Sequence, residues 1–108
     1  SVFSFVRYAK DPNDFVVVVC NFTPVVRYDY RIGVPQAAAY TELINTDLEV
    51  YGGSGVRNPE HIAVIEQEWH SLPCSLPLVL PPLATLILRL LSGLETFYLS
   101  PLSVRRNR

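Results

Sequence analysis

FVVVVCNF, residues 15–22, decides the fold. Four consecutive β-branched valines between aromatic ends lose side-chain freedom in a helix and pack well on a pleated surface. The run is too short for a stable helix and is apolar at both odd and even positions. That pattern predicts a central strand covered on both faces rather than an edge strand with one wet face. It should lie in the core.

Working outward, alternation with a period of two continues on both sides, the signal of half-buried strands. Upstream, Phe3 and Phe5 share one face of a first strand, which Asp11, Pro12, Asn13 and Asp14 bring to a turn. Downstream, Thr23 and Pro24 close the valine strand, and Tyr28, Tyr30, Ile32 and Val34 alternate along the next as far as Pro35. Ala37, Ala38 and Ala39 have helical composition, but residues 36–40 are too few for an element. A fourth strand is predicted over residues 40–45, ending at Thr46 and Asp47, and the glycines of YGGSGV (residues 51–56) predict a long loop. Residues 62–69 alternate weakly and read as an edge or surface strand. Leu76, Leu78 and Leu80 line one face of the penultimate strand, with Pro77 pushing it toward a sheet edge, and Ala84, Leu86 and Leu88 line the last. The expected fold class is all-β: an antiparallel β-sandwich of Greek-key type with about seven to eight strands.

Bulk properties bound the function. A chain of 108 residues supports one core, and an apolar fraction of 49% with 18% charged residues is ordinary for a globular domain. No apolar run reaches the length of a membrane span, because prolines and a threonine interrupt the stretch 76–88. The net charge is −1, and Arg105, Arg106 and Arg108 crowd the last four positions, so no basic face for nucleic acid is expected. The start, SVFSFV, lacks a basic region and a cleavage site and falls inside an alternating pattern, as if cut from an upstream partner. Cys20 and Cys74 fit neither a metal nor a redox spacing. A bridge between them would be worth about 4 kcal/mol in the chain-entropy account, but two reduced thiols are the expected state.

Five segments then occur in one order: NFTP at 21–24, YRIGVP at 30–35, ELINTD at 42–47, YGGSGV at 51–56 and LPPLATLIL at 80–88. Together they closely resemble the C-terminal all-β domain of bacterial 1,4-α-glucan (glycogen) branching enzymes, members of the α-amylase superfamily. The resemblance spans Val2 to about Arg89, giving a domain over 1–89 and a tail of unknown origin over 90–108. It implies a β-sandwich following a catalytic (β/α)₈ barrel in a cytoplasmic enzyme that moves α-1,4-glucan segments to 6-hydroxyls. Retaining chemistry of that kind needs a carboxylate nucleophile and an acid/base carboxyl about 5 to 5.5 Å apart. The family's catalytic Asp, Glu and Asp lie in the barrel, so none maps here. Ser71 and Leu72 stand where the family often has a small or polar residue and an Arg before the proline, and any contact of that Arg is missing.

Candidate sites are weighed on chemistry. Glu66 and Glu68 would share a strand face, yet nothing around them suggests desolvation, so they read as a solvated face. His61 and His70 have no nucleophile elbow to serve: Gly52 and Ser54 begin a GxSxG pattern, but Val56 occupies its last position. No catalytic residue, metal site or cofactor is expected. Asn21 and Thr23 match a glycosylation pattern but precede Pro24 directly and are discounted. Tyr28, Tyr30, Tyr51 and Trp69, with Tyr40 beside them, are the candidates for stacking on sugar rings, although packing is the commoner use of such residues. Tyr51, Gly52, Gly53, Ser54 and Gly55 are the candidate contact loop to the barrel. A small sandwich buries about two-thirds of its extended surface. Val2, Phe3, Tyr51, Val56 and the leucines near the end therefore cannot all be inside. The expected partner is the barrel of the same polypeptide; the alternative is a glucan-binding module acting through surface aromatics.

Overall fold

The computed structural model describes residues 1–91. Six strands carry the fold: β1 (Val2–Tyr8), β2 (Phe15–Asn21), β3 (Arg27–Val34), β4 (Tyr40–Asn45), β5 (Cys74–Leu80) and β6 (Ala84–Leu90). They form two antiparallel sheets, one ordered β1-β2-β6-β4 and the other β3-β5. After β2 the chain changes sheet at every connection, so segments distant in sequence meet across one core. The all-β sandwich predicted from alternation is the observed architecture.

The valine run behaves as its composition dictates. On β2, Phe15, Val17 and Val19 are buried inward, against Ile32 and Val34 of β3 and Leu76, Leu78 and Leu80 of β5. Leu86 and Leu88 extend the same layer from β6, which pairs with β2 from Val16–Arg89 to Asn21–Ala84. Tyr40 is fully buried beside them, so the aromatic grouped with the surface candidates is a core residue. Leu91, just past β6, is also buried and donates its N–H to the Ala39 carbonyl.

Residues 62–69 do not form the expected strand. Only isolated bridges join Ile62 to Tyr40, Ile65 to Ser75 and Trp69 to Leu72. The physical reason lies along the free edge of β5. Ile65 exchanges backbone hydrogen bonds with Ser75, while the Asn58 side chain brackets Val79, accepting from its N–H at 2.8 Å and donating to its carbonyl at 2.9 Å. Between them lies Pro77, which by parity faces the same edge and has no N–H to give, so a continuous ladder cannot form there. Pro77 does mark an edge, as expected.

Three further departures concern loops. Residues 49–51 wind into a short 3₁₀ helix within the segment predicted as open loop. The alternation of Tyr28 and Tyr30 is broken, because Asp29 takes φ 52° and the β3–β5 register shifts between Arg27 and Tyr30. His70 and Ser71 both have positive φ in a two-residue turn closed by reciprocal Trp69–Leu72 hydrogen bonds. Of the tail expected over 90–108, positions 92–108 fall outside the described residues.

Candidate functional site

Two of the five sequence segments are built on buried asparagines. Asn21, at the end of β2, accepts from the Thr23 N–H at 3.0 Å and hydroxyl at 2.6 Å, and donates to the carbonyls of Val25 and Pro81. Asn45, at the end of β4, accepts from the Asp47 N–H at 2.8 Å and donates to the Val56 carbonyl at 2.9 Å. Each is an Asx turn that replaces the ladder where the strand stops. Asn21 is thus a satisfied interior residue, with no side chain left for modification.

YGGSGV folds back on Asp47. One carboxylate oxygen accepts from the Ser54 N–H at 3.0 Å; the other accepts from the Ser54 hydroxyl at 2.7 Å and the Val56 N–H at 2.9 Å. The Asp47 carbonyl accepts from the Gly55 N–H at 2.7 Å. Burial alone would raise the Asp47 pKa, but the donors of Ser54, Val56 and Gly55 outweigh it and hold the carboxyl below its ordinary range. Gly52 and Gly55 adopt φ 84° and 86°, and a methyl on Gly53 would overlap the Asp47 backbone. This chemistry is inert: a carboxylate held ionised by so many donors is a poor base for the Ser54 hydroxyl. The loop residues Tyr51, Gly52 and Ser54 remain exposed, with Gly53 and Gly55 half-buried.

The four stacking candidates are dispersed. Tyr28 is exposed on β3, Tyr30 is half-buried and packs against the core, and Tyr51 is exposed on the 3₁₀ helix. Trp69 donates its indole N–H to the Arg31 carbonyl at 3.1 Å, and the Arg31 guanidinium covers one ring face at 4.3 Å. Among the described residues, none of these four rings pairs with another, and Trp69 instead lies against His70 with ring centroids 5.8 Å apart. Arg31 also donates to Gln67 and Ser75, which fixes residues 67–69 over β3. Glu66 and Glu68 are exposed, and no cluster of three metal-ligating side chains occurs among the described residues.

The doubly apolar β2 predicts a cover on both faces, and the structure places only one face of it in the core. Strand pairing places Phe5, Val18, Ile87 and Ile44 in one row across all four strands of the larger sheet. Beside it run Phe3–Cys20–Thr85 and Arg7–Val16–Arg89–Thr41. These residues alternate with the buried ones, so they form the sheet's outer face. Phe3 is 55% exposed, and Phe5 and Ile44 are each 42% exposed. The signal was present in the sequence: a strand apolar on both sides needs two covers, and the described residues supply one.

Residues 1–90 match the family described as the alpha amylase C-terminal all-beta domain. Similar proteins include the 1,4-alpha-glucan branching enzyme GlgB of Rubrobacter xylanophilus, 58% identical over 89 residues, and that of Halothermothrix orenii, 48% identical over 89. A Synechococcus enzyme of the same name is 52% identical over 88 residues. Each alignment covers 82% of this chain but 11–14% of the relative, so the chain spans about an eighth of the length of these proteins. With its matched span, its two-sheet architecture and its segment order all in agreement, the chain belongs to the alpha-amylase C-terminal all-beta domain family.

Proposed function

We propose that this chain is the non-catalytic C-terminal module of a 1,4-α-glucan branching enzyme, and that it docks on and stabilises the catalytic barrel of the same polypeptide. The observation that carries this reading is the apolar surface left over once the core is filled. Phe3, Phe5 and Ile44 are exposed on the outer face of the larger sheet, the Phe3 and Phe5 rings 5.6 Å apart, and Phe22, Leu43 and Leu83 are exposed as well; apolar surface of that kind is the mark of a partner. The relatives' length leaves room for one. The parent would operate in the cytoplasm, where Cys20 and Cys74 stay as the free thiols the structure contains. α-Glucan is the rival partner, favoured by the exposed rings of Tyr28 and Tyr51.

The test is to delete this domain from a branching enzyme and measure thermal inactivation with and without the domain supplied in trans. Docking predicts a less stable enzyme that the added domain restores. An enzyme equally stable and active without the domain, together with retardation of the isolated domain in an amylose gel, would replace docking by glucan binding.

A further inference from the structure

We propose that the outer face of the four-stranded sheet is the surface that seats on the catalytic portion, with Phe5, Val18, Ile87 and Ile44 at its centre and Arg7 on its rim. This rests on the docking reading above and adds the surface and the kind of partner surface it fits. An antiparallel sheet with one wet face normally alternates apolar inward and polar outward. Here the row of four apolar side chains crosses every strand, about 14 Å at the usual strand spacing. Phe22 continues the same parity beyond β2, its N–H bonded to the Ser1 carbonyl, and Leu43 projects at the irregularity in β4.

Length points to the occupant. In the three relatives named, the matched domain is 11–14% of the protein, so most of the polypeptide is tethered beside this sheet. A tether holds its partner at roughly millimolar effective concentration, which a second copy of the domain matches only in concentrated solution. The fitting surface is apolar at its centre and carries an acidic group opposite the exposed Arg7. The YGGSGV loop is the weaker docking candidate, because the N–H groups of Gly52, Gly53, Ser54, Gly55 and Val56 are all spent on Asp47, Leu48 and Glu49.

Cys20 reports on this face from within. It lies half-exposed between Phe3 and Thr85 on the outer side, whereas Cys74 is buried in the core. The full chain is compared with the same chain fused in place of the C-terminal domain of the Rubrobacter xylanophilus enzyme, using iodoacetamide and mass spectrometry of the Cys20 peptide. Cys20 should react at least tenfold more slowly in the fusion, with Cys74 protected in both. Phe5→Glu and Ile44→Glu, at positions already exposed in the domain, should return Cys20 to the rate of the free chain. Unchanged Cys20 reactivity in a fusion whose stability still depends on the domain would overturn this surface while leaving docking intact. Unchanged reactivity with no stability effect would overturn both. Protection that grows with the concentration of the free chain would make the occupant a second copy and overturn the assignment to the catalytic portion.

Discussion

Asp47 holds a whole loop through one carboxylate, and its ionisation therefore sets a pH limit on that loop. Its pKa in the folded state lies below the unfolded one, so its stabilising effect is complete above the ordinary carboxylate pKa and is lost as pH falls through the folded value. Asp47→Asn turns one acceptor into a donor facing either the Ser54 N–H or the Val56 N–H, depending on which way the amide is oriented, which should cost about 1–3 kcal/mol. Urea denaturation at neutral pH measures it, and the variant should lose the acid-dependent part of the wild-type profile. Tyr40 works in the opposite direction. Burial, only partly offset by the Gln36 N–H that donates to its phenolic oxygen at 3.4 Å, raises its pKa from 10.0 to about 12. Its contribution is complete below pH 10 and declines as pH rises toward 12. Tyr40→Phe should cost about 1 kcal/mol at neutral pH and flatten that alkaline decline. Neither role was legible in advance: a one-dimensional pattern shows an Asp ending a strand and a Tyr among tyrosines, but not which donors or which core surround them.

At the scale of elements, the sequence was informative wherever period and composition agreed. The valine run, the leucine alternations of β5 and β6, and the turn at residues 11–14, where the Asp11 carboxylate accepts from the Asn13 N–H, follow from residue types alone. Residues 62–69 misled because weak alternation says nothing about whether the neighbouring edge can receive a strand. The Asn58 bracket and Pro77 settle that in three dimensions. The nearby turn offers a sharp check. His70 and Ser71 occupy left-handed conformations in a two-residue hairpin, where Asn and Gly fit with less strain. The double substitution His70→Asn with Ser71→Gly should stabilise the domain by about 0.5–1.5 kcal/mol, read as a higher urea midpoint with an unchanged slope. Gly33→Ala should act against it, since a methyl there would overlap the Trp69 carbonyl as the turn crosses β3. A cost of about 1–3 kcal/mol is expected from such overpacking.

For the whole molecule, the sandwich accounts for stability and the outer sheet face accounts for the surplus of apolar side chains. The proposed non-catalytic role predicts that the purified chain leaves the iodine stain of amylose unchanged. Activity that persists through repurification would contradict that. The proposed docking role rests on contact, and contact through apolar surface has a thermodynamic mark: burial lowers the heat capacity of the complex. The most direct measurement is a calorimetric titration of this chain into a branching-enzyme catalytic portion that lacks its own C-terminal domain, repeated at several temperatures. The account predicts one-to-one binding with a negative heat-capacity change that Phe5→Glu weakens at least tenfold. Absence of binding at every temperature, with the chain instead retained by amylose, would contradict it.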